Sequence, residues 1–319
     1  MKLSDQALDR LRQTLSVPDL TGTRYRLLGV LGEGGMGIVY EAEDTLLDRR
    51  VALKVLDTPE PAPDRADRLL REARVLAQLE HPGIVPIHDA GTLPDGSVFY
   101  AMKKVQGRRL DEWLEGVPGR PERLRLFLRI CEAVAFAHAR GVLHRDLKPE
   151  NVMIGAFGEA LVMDWGLAKA LGRAEARPLP PPDALTALPA ARTVTPLGAV
   201  LGTPGFMAPE QARGEVVDAR ADVFSLGCIL KIVLQGTPPD RTLAAIVAQA
   251  TTETREPRIA DVAELGREIT RFMDGEPVRA DPEGLMRRSL RLLKKHRVAV
   301  ILVFAYLTAR AISLFFGAR

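Results

Sequence analysis

The segment Leu31 to Val39, Leu-Gly-Glu-Gly-Gly-Met-Gly-Ile-Val, carries the spacing G-x-G-x-x-G-x-V and constrains the fold more than any other stretch of the chain. Glycines so spaced occur in two architectures. In a dinucleotide-binding unit they open a helix, whereas here the β-branched pair Ile38 and Val39 leads into a second strand. A strand, a glycine loop and a returning strand bring backbone N–H groups close over nucleotide phosphates, an approach that side chains would block. Gly32, Gly34, Gly35 and Gly37 are therefore candidate phosphate contacts, and a dinucleotide oxidoreductase is excluded. A glycine-rich hairpin without a ligand is the competing reading of this segment alone.

The chain beyond the hairpin favours the nucleotide. Val51-Ala52-Leu53-Lys54 ends an apolar strand on a lysine, whose burial is costly unless an anion meets it. The candidate partner is Glu72, on the inward side of the next helical stretch. That stretch, Asp64 to Leu79, has Leu69, Leu70, Val75, Leu76 and Leu79 at helical spacing and should stop at His81-Pro82-Gly83. Strand-like runs lie before it (RYRLLGVLG, GIVYEAED, RRVALKVL) and after it (around IVPIHDA and SVFYAMKKV). From Leu110 onward helical patterning dominates.

Composition sets the remaining bounds. The 319 residues are 46% hydrophobic and 27% charged, which excludes a disordered chain, a collagen-like repeat and a disulfide scaffold. The length suggests two domains or one body of two lobes. Cys131 and Cys228 lie far apart and read as reduced structural thiols. The net charge of +3 conceals an asymmetry: the first 286 residues carry 36 basic and 41 acidic side chains, and the last 33 carry eight basic and none acidic. A mildly acidic body argues against a nucleic-acid partner, and the basic tail argues for an anionic surface such as a membrane.

The most specific segment is His144-Arg145-Asp146-Leu147-Lys148-Pro149-Glu150-Asn151. Beyond it come Asp164-Trp165-Gly166 and, past a long Pro- and Ala-rich stretch, Gly202-Thr203-Pro204 and Ala208-Pro209-Glu210. In this order (GEGGMGIV, VALK, HRDLKPEN, DWG, APE) the motifs resemble those of the eukaryotic-like (Hanks-type) protein kinases, specifically the bacterial membrane-anchored Ser/Thr branch, over about residues 25–275. The resemblance implies an α+β bilobal protein kinase fold. It divides the chain into an N-terminal helical extension (1–24), a small β-rich N-lobe with one long helix (25–104) and a larger helical C-lobe (105–275) with an activation segment at 164–210. A basic juxtamembrane linker (276–297) and a C-terminal transmembrane helix (298–318) complete it.

The resemblance also implies roles, position by position. Asp146 orients or accepts the proton of the substrate hydroxyl, and Lys148 lies near the transferred phosphate. Asn151 and Asp164 hold Mg²⁺, with Mn²⁺ able to substitute, and Lys54 grips the ATP phosphates while Glu72 holds it. Leu31 and the glycines cover the nucleotide; Val39, Ala52 and Met153 sandwich the adenine; Met102 closes the back of the pocket, and Lys103 to Val105 form the hinge. Asp222 anchors the catalytic loop, and Glu210 pairs with Arg258. The Lys148-Pro149-Glu150 spelling and Thr203 imply transfer to Ser and Thr of protein substrates. Arg145 can pair with a phosphate on the activation segment, for which Thr193 and Thr195 are the candidate acceptors.

Three departures stand out. Trp165 replaces the usual Phe. The stretch near 236–243 lacks a surface helix that most members use to dock substrates, and the segment between Gly166 and Ala208 is long. The tail, Val298 to Ala318, spans 21 residues, about 31 Å as a helix at ~1.5 Å per residue. Arg310 near its middle costs roughly 2.5–3.5 kcal/mol, and its Val, Ile, Leu and Phe side chains return roughly 3–7 kcal/mol. Tyr306, Arg310 and Ser313 share one face, and the basic cluster before Val298 places the body on the cytoplasmic side of a bacterial inner membrane. The expected activity is that of a membrane-tethered Ser/Thr kinase with autophosphorylation, a homodimer being left open. The alternative is a nucleotide-binding pseudokinase scaffold.

Overall fold

The computed structural model describes residues 17–34, 37–56, 63–116, 118–165, 205–281 and Tyr306. Five strands form an antiparallel sheet in the order β1-β2-β3-β5-β4: β1 (Tyr25–Gly34), β2 (Gly37–Asp44), β3 (Arg49–Leu56), β4 (Ile87–Thr92) and β5 (Val98–Lys103). Alternation along the strands separates two faces. Tyr40, Ala42, Val51, Leu53, Phe99 and Ala101 pack with Tyr25 on the outer face. Ala52, Tyr100 and Met102 turn to the other face and meet Leu69 and Ala73 of helix α1 (Pro63–Ala77).

Gly37 opens β2 at φ 126°, and a Cβ there would sit 2.1 Å from the Val55 carbonyl oxygen. No other residue fits where β2 leaves the glycine loop so close to β3. The fourth strand starts later than its sequence suggests, at Ile87, because Pro86 has no N–H for the ladder. Ile84 instead bridges in parallel to Val162 of the second lobe.

The second lobe is mainly helical: α2 (Leu110–Glu115), α3 (Arg120–Ala139), α4 (Pro209–Ala212), α5 (Ala219–Val233), α6 (Arg241–Ala250) and α7 (Val262–Met273). Phe127, Ile130, Leu226, Ile229, Leu230, Ile246, Leu265 and Ile269 form its core. Aspartates cap three helices by accepting backbone N–H groups. Asp218 serves α5, Asp240 serves α6 and Asp261 serves α7. A three-stranded sheet, β6 (Gly107–Arg109), β7 (Val152–Gly155) and β8 (Ala160–Val162), is not expected from sequence, and its last two strands interrupt the mainly helical patterning read from Leu110 onward. Strands of three or four residues are too short to show a period.

Residues 234–240 alone connect α5 to α6. Buried Arg123 fixes this short crossing, donating to the carbonyls of Pro118, Val233 and Gln235 at 2.7–2.9 Å. Past α7, the carboxylate of Glu268 accepts the N–H groups of Arg279 (2.6 Å) and Ala280 (3.2 Å), so packed structure continues to Asp281. Of the expected helical extension at 1–24, residues 1–16 lie outside the described residues and residues 17–24 form turns and irregular chain with no helix. The expected transmembrane segment also lies outside them apart from Tyr306, which is helical and exposed. Among the described residues no helix is long and apolar enough to cross a membrane.

Candidate active site

A cleft between the lobes collects the polar residues singled out from sequence, and its floor is set by one buried carboxylate. Asp222, in the first turn of α5, accepts the backbone N–H of His144 and of Arg145, each at 2.8 Å, and faces His138 Nε2 at 2.7 Å. Arg145 is thereby held at φ 65°, a conformation that L-residues seldom adopt. Burial by itself would raise the Asp222 carboxyl. The hydrogen bond from His138, the charges of His138 and His144 and the His144 N–H outweigh it and bring the pKa down to about 2.

That depression has a consequence for stability. A carboxyl lowered from its ordinary value of 3.8 contributes stability that is complete above that value and is lost as pH falls through about 2. Asp222→Asn is expected to cost about 2 kcal/mol at neutral pH, because an amide cannot accept both backbone donors. It should also flatten the loss of stability between roughly pH 4 and pH 2. Urea unfolding across that range checks both.

His144 joins this loop to the segment after β8. Its Nδ1 accepts the Asp146 N–H at 3.3 Å, which leaves Nε2 to donate to the Met163 carbonyl at 2.8 Å. Its ring packs on Trp165, with 4.8 Å between centroids. Trp165 is buried in the C-lobe core, and its Nε1 donates to the Val162 carbonyl at 3.3 Å. The larger aromatic therefore fits its slot with its one donor satisfied.

Asp146 and Asp164 lie on the two segments so joined. Asn151 Nδ2 donates to the Asp146 carbonyl at 2.8 Å and approaches its Oδ2 at 3.4 Å, while Lys148 Nζ lies 3.8 Å from that Oδ2. Asp164, at φ 54°, meets Lys54 Nζ at 2.7 Å. The lysine side chain is only 7% exposed, so an anion meets it, and among the described residues that anion is Asp164. The Glu72 side chain lies outside the described residues, as do Gly35, Thr193, Thr195 and Thr203.

Above these groups, Val39, Ala52, Met102, Val105 and Met153 belong to one apolar cluster with Leu161, which brings the expected adenine-contacting residues together. Leu31 and Gly32 lie exposed at the glycine hairpin. Behind Met102 the cleft continues between Leu76, Val85, Tyr100, Asp164 and Trp165. Burial, with the Asp164 charge nearby, pushes the Tyr100 phenol well up. On the far side of the loop, Arg258 donates to both carboxylate oxygens of Glu210 at 2.6 and 3.0 Å, with both side chains fully buried.

Comparison with known proteins decides the family: the model of the protein kinase domain matches residues 25–298. The chain belongs to the protein kinase domain family. The kinase is 42% identical over 230 residues to the DNA damage-responsive serine/threonine-protein kinase RqkA of Deinococcus radiodurans, covering 69% of this chain and 31% of that protein. It is 35% identical over 309 residues to serine/threonine-protein kinase PknB of Mycobacterium tuberculosis, covering 83% and 45%. The crystal structure of the Mycobacterium tuberculosis PknI kinase domain superposes with a TM-score of 0.58 at 25% identity, over 80% of this chain and 98% of that one. The kinase thus spans less than half the length of these curated relatives.

Sequence reasoning gives no role to His138, His144 or Gln211. Gln211 Nε2 donates to the Arg145 carbonyl at 2.7 Å and ties the residue after Glu210 to the catalytic loop. His144 opens the His-Arg-Asp motif, so a signal for it exists in the sequence. Nothing local marks His138 or Gln211, because both act on residues far away in the chain.

Proposed function

We propose that this kinase transfers the γ-phosphate of ATP to Ser and Thr hydroxyls of protein substrates, itself included. The observation that carries the reading is the facing of two charged sets across one cleft. Lys54 with Asp164 stands on one side and Asp146, Lys148 and Asn151 stand on the other, joined through His144. Phosphoryl transfer asks a protein mainly to position groups and offset phosphate charge. Asp146 orients the acceptor hydroxyl and takes its proton as the new O–P bond forms. The bond from phosphorus to the β–γ bridging oxygen breaks, and ADP leaves with that oxygen. Lys148 sits where it offsets charge on the phosphoryl group in flight.

Asn151 and Asp164 offer oxygen donors only. Because the Asn151 amide N–H is spent on the Asp146 carbonyl, its own carbonyl oxygen is left for a cation. Among the described residues no three His, Cys, Asp or Glu side chains form a metal-binding cluster. The oxygen donors of the pair suit Mg²⁺, which draws its remaining ligands from phosphate and water. When bound, that ion offsets charge on the phosphates. The complete charged set favours an enzyme over a nucleotide-binding scaffold. Phosphoamino-acid analysis of the product formed from labelled ATP and Mg²⁺ tests the acceptor class: phosphoserine and phosphothreonine are expected, and phosphotyrosine alone would overturn it.

Two further elements of the reading rest on sequence. Thr193 or Thr195, once phosphorylated, pairs with Arg145, and phosphopeptide mapping of an active preparation should find at least one of them modified. The apolar stretch 298–318, preceded by Arg287, Arg288, Arg291, Lys294, Lys295 and Arg297, tethers the kinase to the inner membrane with its body on the cytoplasmic side. Resistance to a carbonate wash is the expected behaviour, and release would overturn the tether.

A further inference from the structure

We propose that Glu41 and Lys104 form a positioning pair that ties the hinge between the lobes to the roof of the nucleotide pocket and thereby sets nucleotide affinity. The proposal rests on the nucleotide-binding reading of the cleft. Glu41 lies two residues after Val39 on β2, so both side chains leave the same face of the sheet. Val39 is part of the apolar cluster with Ala52, Met102 and Val105. Glu41 pairs in register with Ala52 of β3, and Ala52 in turn pairs with Met102 of β5. It therefore stands at the outer margin of the apolar roof, with only a methyl group between it and the hinge side.

Lys104 comes from the hinge itself, directly after β5 and before Val105. Its Nζ reaches Glu41 Oε1 at 2.6 Å, and Arg50 Nη1 meets the same oxygen at 2.8 Å. The two cations hold the Glu41 carboxyl below its ordinary range. They are not equivalent. Lys104 is 24% exposed and Glu41 17%, whereas Arg50 is 69% exposed and reaches in from solvent.

β2 and β5 are not neighbours, since β3 runs between them. The ion pair is therefore a direct side-chain tie between the hinge and β2 that does not pass through the ladder. Its position on β2 matters because Glu41 pairs with Gly29 on the other side, where β1 and β2 slip out of regular register, again at Val30/Gly32. Such irregularities are where a hairpin bends. The tie thus fixes β2 at the base of the glycine hairpin, and losing it lets the roof and hairpin lift away from the hinge without disturbing Asp146 or Lys148.

The test uses the full chain with ADP·Mg²⁺ binding, the KM for ATP, kcat and thermal melting, in Lys104→Met, Glu41→Gln, the double variant and Lys104→Arg. We expect each single variant to weaken ADP binding and raise the KM for ATP about threefold, the size of one partly screened ion pair. Values of kcat should stay within about twofold and the melting temperature within about 2 °C. The double variant should be no worse than either single one, and Lys104→Arg should restore wild-type affinity. Unchanged affinity in both single variants, independent additive losses, or a fall in kcat with affinity intact would overturn the pair's role. Failure of the wild type to bind ADP would overturn the nucleotide reading, and this proposal with it.

Discussion

Asp146→Asn is expected to lower the rate of phosphoryl transfer about 10³-fold, within the range for loss of a positioned proton acceptor. ADP binding should stay within about twofold. The substitution keeps the shape of the side chain and removes its charge and basicity. The shorter of the two contacts from Asn151 goes to the Asp146 backbone carbonyl at 2.8 Å, which the substitution leaves in place. The N–H of residue 146 still meets His144 Nδ1, so the link through Met163 to Asp164 also survives. The expected nucleotide contacts lie elsewhere, at Lys54, Asp164 and the apolar roof. A parallel loss of ADP binding would mean that the loop had collapsed, and a second variant separates the two cases: Lys148→Met should also slow transfer while leaving Asp146 in place.

Arg258→Ala should have the largest effect on stability, a loss of about 4 kcal/mol, because it leaves a fully buried carboxylate without its cation. Glu210 loses two short hydrogen bonds, and the carbonyls of Thr252, Arg220 and Glu253 each lose a donor. For a body of this size the melting temperature should fall by about 10 °C. The cost comes from stranding a charge rather than from losing attraction. The double variant Glu210→Met with Arg258→Met should therefore be more stable than Arg258→Ala alone. A loss below about 1 kcal/mol in Arg258→Ala would show that water or a rearranged neighbour already screens Glu210.

The parts of the fold legible in the sequence are those governed by local rules. The strands β1, β2, β3 and β5 show as alternating runs between glycine or charged turns, and α1 shows by its leucine spacing. The β6–β8 sheet is invisible at this level, since three or four residues such as Gly107–Arg109 are fixed by their partners and not by propensity. The charged groups of the site are legible because their order along the chain is itself specific. Their partners are less so. Sequence places Lys54 at the end of an apolar strand and demands an anion, for which it offers Glu72; it does not show that Asp164 meets the lysine. That contact depends on the positive φ of Asp164 and on a histidine bridge between two distant loops. The contacts from Gln211 to Arg145, from His138 to Asp222 and from Lys104 to Glu41 belong to the same class: ordinary side chains made specific by tertiary geometry.

At position 165 the chain departs from the family pattern. A tryptophan brings a buried N–H that needs an acceptor. Here the Val162 carbonyl supplies it, and the ring packs at a tilt against His144, the residue joining the two halves of the site. The substitution thus fills its slot and supports the histidine bridge.

The central claim is that the groups gathered in the cleft carry out phosphoryl transfer and do more than hold a nucleotide. Its most direct test is label incorporation from γ-labelled ATP by the full chain, with wild type, Asp146→Asn and Lys54→Met assayed side by side and ADP binding measured on the same preparations. The expected result is incorporation in the wild type, a loss of about three orders of magnitude in Asp146→Asn with ADP binding kept, and a comparable loss in Lys54→Met. Equal incorporation in wild type and Asp146→Asn, or a wild type that binds ADP and transfers nothing, would contradict it.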